Sequence, residues 1–220
     1  MNTVLTCLSV LLLATAGCEK EKTVRSAKPA TTARTQAANA RMASGVPAGK
    51  SWQLPKGVML KGIHGGNCEM PEAHSYGMTY ARVALCVSLH NSSSSAITVT
   101  LPAGLVFVAA SANVKNGLVP RPITFTVPAG EDLHVRIGAL CMNPGREMPQ
   151  GDDHYSIGPV YDQAPLKAFY SLFNRKRIYE NDPRRDFDAA IIAQSLFWKL
   201  CDSTGLTKDD IALANSLADL

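Results

Sequence analysis

The chain has 220 residues, of which 46% are hydrophobic and 18% charged, a composition that excludes a largely disordered or membrane-embedded protein. The net charge of +4 comes from the N-terminal part, because residues 19–50 carry seven Lys or Arg against two Glu, whereas residues 51–220 carry fifteen basic and sixteen acidic side chains. The larger part has no basic stripe with interleaved aromatic residues, so we expect no binding to nucleic acid.

The N-terminal segment, MNTVLTCLSVLLLATAGC, has the pattern of an export signal. Val4–Ala14 is apolar but too short to span a bilayer, and Ala16-Gly17 precede Cys18. This arrangement resembles the lipobox of bacterial lipoprotein precursors, which implies removal of residues 1–17 and acylation of Cys18, palmitate being one such acyl group. The alternative is an ordinary signal peptide cleaved after Ala16, which would release a soluble secreted or periplasmic protein. Both interpretations place the folded part outside the cytoplasm.

Residues 18–50 are predicted to form a disordered tether. They are rich in Ala, Thr, Lys and Arg and contain no aromatic residue, so they cannot bury enough apolar surface to offset the entropy lost on ordering. The ordered domain is expected to begin near Trp52, with a β-rich part over residues 51–150 and a helical part over residues 151–220.

Short alternating runs predict six strands in the β-rich part: Gly57–Ile63, Thr79–His90, Ile97–Leu101, Leu105–Ala109, Ile123–Val127 and Leu133–Cys141. Polar turn residues separate the second run from the third and the fifth from the sixth, so each of these pairs is predicted to form a hairpin. Short strands broken by Pro and Gly turns favour an antiparallel, immunoglobulin-like β-sandwich.

About three helices are predicted after Gly151, which makes the expected fold class α+β. Pro165–Phe173 has helical spacing, and Asp186–Asp202 forms a longer helix with Ile191, Ser195, Trp198 and Cys201 along one stripe. Thr207, with a carboxylate three residues later, is expected to cap a last helix.

The cysteine count predicts two disulfides. If Cys7 leaves with the signal and Cys18 is acylated, four cysteines remain: Cys68, Cys86, Cys141 and Cys201. An even number in an exported domain is typical of a disulfide framework. Cys141 and Cys201 both fall on apolar faces and are predicted to bridge the sheet and the long helix. Cys86 lies on the opposite face of its strand, and Cys68 is its nearest partner in sequence.

Two short segments, Leu140-Cys141-Met142 and Ala193-Gln194-Ser195-Leu196-Phe197, resemble the signatures of bacterial thioester-forming adhesin domains. In that family the Cys sulfur attacks the Gln amide, releases ammonia and leaves an internal thioester that amines on a host surface can open. The resemblance implies a Cys141–Gln194 thioester and a covalent adhesin. The even cysteine count favours the disulfides instead, because a thioester would leave three thiols.

His64 and His74, with Cys68 between them, have a spacing compatible with a small copper or zinc site. A disulfide at Cys68 would remove its soft ligand. Asp152-Asp153-His154 could orient a general base, but acidic residues after a turn are more typically solvated or capping groups. The sequence contains no phosphate-binding loop, dinucleotide fingerprint or nucleophile elbow, so we expect no catalytic residues and no cofactor.

These patterns predict an exported bacterial envelope protein, attached to the membrane through a lipid on Cys18. Its folded part is expected to act as a non-enzymatic binding or structural module for a protein or glycan ligand. The alternatives are a covalent adhesin with a Cys141–Gln194 thioester and a small metal-binding periplasmic protein.

Overall fold

A computed structural model describes residues 48–70, 73–178, 183–202 and 205–220. The predicted signal, Cys18 and nearly all of the tether lie outside the described residues. Within them, nine strands precede three helices: β1 Val58–Gly65, β2 His74–Gly77, β3 Val83–Asn91, β4 Ile97–Leu101, β5 Leu105–Ala109, β6 Gly117–Leu118, β7 Ile123–Val127, β8 Asp132–Cys141, β9 Tyr155–Val160, α1 Ala164–Phe173, α2 Pro183–Asp202 and α3 Lys208–Asn215. None of the described helices is long and apolar enough to cross a lipid bilayer.

Seven strands form one nearly closed, mostly antiparallel sheet. Six of them follow the order β1-β3-β8-β6-β5-β9, and β2 runs parallel beside β8. The two ends of this sheet meet where His64 bridges to His154 and the Gly65 N–H donates to the Asp153 carbonyl at 2.8 Å. Strands β4 and β7 pair with each other as a separate two-stranded sheet. The mixed α and β content agrees with the predicted fold class.

The two predicted hairpins are wrong. Strand β3 pairs with β1 and β8, and β4 pairs with β7, so each predicted hairpin partner lies in the other sheet. Because β3 has a neighbour on both edges, it offers no free main-chain groups to β4. Buried Asn91 fixes the path of the chain after β3, because its Nδ2 donates to the Ser95 carbonyl at 2.8 Å and to the Val127 carbonyl at 3.0 Å.

Strand β9 lies within the region predicted to be helical, and β2 and β6 were also missed. Gly158 and Pro159 interrupt β9, while β2 and β6 have only four and two residues, so none shows a readable alternation.

A first hydrophobic cluster contains side chains from both sheets. Val99 and Phe125 of the small sheet pack in it with Val87, Val135 and Ile137 of the large one. The last residues of β8 are buried on both faces: alternate side chains, ending with Cys141, belong to this first cluster, whereas Leu140 and Met142 point into a second cluster under the helices.

The three helices cover the second cluster. Phe169 and Phe173 of α1 stack at 4.4 Å between ring centroids and pack with Phe197 of α2. The stripe predicted for burial on α2 is wrong, because its buried face carries Ala193, Leu196, Phe197 and Leu200, whereas Ile191 and Ser195 are exposed. The capping box predicted at Thr207 is present, with Asp210 as its partner.

Candidate functional site

The Gln194 side chain binds the main chain of Cys141. Its Oε1 accepts from the Cys141 N–H at 2.8 Å, and its Nε2 donates to the Cys141 carbonyl at 3.0 Å. The Trp198 indole N–H donates to the same carbonyl at 2.9 Å. The pairing of β3 with β8 ends at Val83 and Ala139, so a helix side chain supplies the donor and acceptor that a longer β3 would provide.

The two thioester candidates are therefore in contact, but the Gln194 carboxamide binds the main chain of Cys141. The Cys141 thiol itself lies in the first cluster, on the face of β8 opposite the side chains that meet α2, and it is not bonded to another sulfur. Burial raises the pKa of this thiol, although a main-chain hydrogen bond at Asn143 and the charges of Lys115, Arg82 and Arg146 act against the shift. A thiol with a raised pKa is protonated at neutral pH and is a poor nucleophile.

Cys68 and Cys86 form a disulfide with a Cα–Cα distance of 4.9 Å. It holds the loop after β1 against the outer face of β3. The bridge expected between Cys141 and Cys201 is not formed, and neither sulfur takes part in a disulfide. The reason is that the side chain of Cys141 lies in the first cluster, whereas Cys201 packs against the second one.

Sequence patterns did not indicate a cluster of four buried polar residues around the end of β8. The Asn116 Oδ1 accepts from the Ala109 N–H at 2.9 Å, the Asn143 Oδ1 accepts from the Asn116 N–H at 3.0 Å, and the Tyr155 hydroxyl donates to the Lys115 carbonyl at 2.8 Å. Burial also raises the pKa of Tyr155. These contacts satisfy irregular main-chain groups, so we assign the cluster of Lys115, Asn116, Asn143 and Tyr155 a structural role.

His64 and His74 are not brought together. Strands β3 and β8 lie between β1 and β2, so the two residues are three strand spacings, about 14 Å, apart. In the described part of the chain, no group of three His, Cys, Asp or Glu side chains is arranged to hold a metal ion. His64 instead faces His154, with ring centroids 4.9 Å apart.

The Asp152-Asp153-His154 segment is a turn. The Asp153 carboxylate accepts from the Gln150 N–H at 2.7 Å, and the Asp153 N–H donates back to the Gln150 carbonyl at 3.0 Å. This is the capping arrangement typical of an acidic residue after a turn. The carboxylate of Asp153 is therefore engaged with the main chain.

An exposed apolar surface runs along α2 and the segment before β3. Tyr80 and Phe187 are 44% and 50% exposed, and their rings meet edge to face at 5.7 Å. Ile191, one turn further along α2, is 49% exposed, and the Arg82 guanidinium lies 5.2 Å from the centre of the Trp198 ring. We call these five residues the aromatic surface. The sequence does contain Phe187, Ile191 and Trp198 at helical spacing, but local pattern cannot show that this side faces outward.

Comparisons of the chain with protein-family models, curated proteins and solved structures found no match.

Proposed function

We propose that this chain is an exported, lipid-anchored bacterial envelope protein whose folded domain binds a protein partner through the aromatic surface. The observation that carries the proposal is the outward position of Tyr80, Phe187 and Ile191, three large apolar side chains on one side of the molecule. The domain acts as a binding module without catalysis of its own.

Two features support export and anchoring. A disulfide such as Cys68–Cys86 persists in oxidising compartments outside the cytoplasm. The apolar run before Ala16-Gly17-Cys18 supplies the pattern of a lipoprotein signal, and one acyl-bearing cysteine would attach the domain to the membrane through the tether.

The β part is proposed to be an immunoglobulin-like sandwich. Support comes from the first hydrophobic cluster, to which the β4–β7 sheet and the large sheet both contribute alternate side chains. Both predicted hairpin connections in fact cross between the sheets, as connections in sandwiches commonly do.

The composition of the aromatic surface favours a protein ligand. Tyr, Trp and Arg are the residue types most enriched among the energetically dominant contacts of protein interfaces. Phe187 and Ile191 offer no hydrogen-bonding groups, so glycan hydroxyls placed over these two residues would lose their water without replacement, which favours a protein ligand there. The Arg82 guanidinium packs over the ring of Trp198, and the Trp198 indole N–H donates a hydrogen bond to the Cys141 carbonyl, so both contacts limit the rotation of this side chain.

Photo-crosslinking in living cells tests this proposal. A photoreactive residue at Phe187 should give one discrete protein adduct, whereas the same residue at Met59, which is equally exposed on β1, should not. The captured protein is then purified and its affinity measured. We expect Phe187→Ala to weaken binding by tenfold or more, in line with the loss of about 2 kcal/mol or more at an interface hot spot, while Met59→Ala has no effect. Equal adducts at both positions, or unchanged affinity of Phe187→Ala, would refute the proposal.

A covalent adhesin is the second candidate, favoured by the contact between the Gln194 carboxamide and Cys141. The Cys141 thiol and the Gln194 carboxamide would give a thioester and ammonia. Intact-mass measurement separates the candidates: a thioester lowers the mass by one ammonia and methylamine reverses the change, whereas the Cys68–Cys86 disulfide removes two hydrogens and responds only to reductant. We expect the disulfide result alone. A methylamine-sensitive loss that disappears in Gln194→Ala would make the adhesin the leading function.

A further inference from the structure

We infer that His64 and His154 form a binding site for a divalent late transition metal ion, with Cu²⁺ bound most tightly. The two residues lie opposite each other in the antiparallel bridge that joins the end of β1 to the start of β9. Their rings are 4.9 Å apart between centroids, at an interplanar angle of 61°. Side chains directly opposite each other in such a bridge are close enough to share a ligand.

The ring nitrogens of this pair are available. In the described part of the chain, neither imidazole has a hydrogen-bond partner, in contrast to His90, which meets the Asp132 carboxylate at 2.7 Å, and His134, which meets the Ser88 hydroxyl at 2.9 Å. His154 is exposed and His64 is half-buried, so an ion can reach both. Gly62 leaves room for the ring of His64, because a Cβ there would lie 3.3 Å from Nε2.

The main chain around the pair is held in place. The Gly65 N–H donates to the Asp153 carbonyl at 2.8 Å, directly beside the two histidines. Cys86 lies opposite His64 on the other side of β1, and its disulfide to Cys68 closes the loop that follows His64. Binding therefore requires rotation of two side chains and no rearrangement of strands, which keeps its entropic cost low.

The ligand set determines the class of metal. Neutral imidazole suits copper, nickel and zinc, and Cu²⁺ binds most strongly in the Irving–Williams order. Two protein ligands leave further coordination positions to water, so the site is open and its ion exchangeable. A closed structural zinc site, which needs four protein ligands, is a different arrangement. The His64–His154 pair shares no residue with the aromatic surface, so this inference does not depend on the proposed protein-binding function.

Calorimetric titration of the untagged, disulfide-bonded protein with CuCl₂ and with ZnCl₂ tests the inference. We expect one equivalent of Cu²⁺ to bind, more tightly than Zn²⁺, and His64→Ala or His154→Ala to weaken Cu²⁺ binding at least tenfold. His74→Ala is the matched control and should bind as the wild type does. Circular dichroism verifies that each variant is folded.

A second measurement identifies the ligands in the wild-type protein. Substoichiometric Cu²⁺ should broaden the imidazole resonances of His64 and His154 in NMR spectra and leave those of His74 sharp. Absence of Cu²⁺ binding, unchanged binding by folded His154→Ala, or broadening centred on His74 would overturn the inference. None of these outcomes bears on crosslinking at Phe187, so the two proposals fail independently.

Discussion

Two buried amide side chains, Asn91 and Gln194, bind main-chain groups at points where a strand ends. Asn91 accepts from the Ser93 N–H at 2.9 Å and donates across to the small sheet. Gln194 completes the edge of β8 beyond the last pair with β3. Each amide replaces water that the buried main chain has lost, so removing it leaves donors and acceptors without partners.

Replacing Gln194 by Leu should lower the free energy of unfolding by about 2–3 kcal/mol, because the buried Cys141 N–H loses its acceptor and the carbonyl keeps only Trp198. Cys141→Ala retains the main chain that Gln194 binds and should cost about 1 kcal/mol for the small cavity. Urea unfolding followed by circular dichroism measures both values. A larger loss in Cys141→Ala than in Gln194→Leu would contradict a role centred on the main chain.

At the scale of elements, an ion pair joins α3 to α2, and its carboxylate also belongs to the capping box of α3. The Lys199 ammonium lies 2.7 Å from the Asp210 carboxylate, which also accepts from the Thr207 N–H and hydroxyl at 2.7 Å. These contacts lower the pKa of Asp210 to about 2, with the Lys199 contact as the largest cause. Since α3 has only eight residues, its helical state depends on such tertiary contacts.

The attachment of α3 should weaken in acid. A carboxyl whose pKa is lowered on folding stabilises the fold above the pKa of the unfolded chain, about 4 for Asp, and this contribution is lost as the pH falls toward 2. We therefore expect wild type to melt at a higher temperature than Asp210→Asn at pH 7, with the difference shrinking at pH 2.5. Scanning calorimetry at both pH values gives the comparison. A difference that stays constant would show that the charge of Asp210 does not contribute.

The Cys68–Cys86 disulfide links β3 to the loop after β1. The two cysteines are separated by 18 residues, so in the chain-entropy model the bond stabilises the fold by about 3 kcal/mol. Cys68→Ser/Cys86→Ser should lose about that amount in urea unfolding, and reductant should have no further effect on it. Cys201→Ser, which changes a cysteine outside the disulfide, should keep the full response to reductant. Loss of the response in Cys201→Ser would instead indicate a bond to Cys201.

At the scale of the whole molecule, the proposed anchor and the proposed binding surface are in different parts of the chain. A predicted tether separates Cys18 from the domain, whereas the aromatic surface is formed by the segment before β3 and by α2. A tethered domain can search a volume near the membrane, which raises the effective concentration of a partner attached to the same surface.

We expect Cys18→Ser to release the protein from the membrane fraction or to leave it at its unprocessed size, since the acylated residue is gone. Cys7→Ser, which alters a cysteine inside the predicted signal, should be processed and anchored as the wild type is. Cell fractionation followed by immunoblotting reports both size and location. A Cys18→Ser protein that remains membrane-bound at the processed size would exclude lipid on Cys18 as the anchor.

Local sequence pattern was sufficient for much of the secondary structure. Alternation located most of the longer strands, for example Thr79–His90 against the observed Val83–Asn91, and Thr207 marked the start of α3. These features depend on neighbouring residues: the period of the side chains sets the type of element, and a capping side chain reaches main-chain groups only a few residues away. The even cysteine count likewise indicated disulfide bonding, which Cys68 and Cys86 provide.

Only the tertiary structure determined strand partners, the outward face of α2 and the meeting of distant residues. Cys141 and Cys201 both lie at apolar positions, yet they are in separate clusters because the end of β8 is buried on both faces. His64 pairs with His154, not with His74, because the large sheet nearly closes and joins β1 to β9. The physical reason is that periodicity shows which side chains share a face, whereas the packing of the whole chain determines what covers that face.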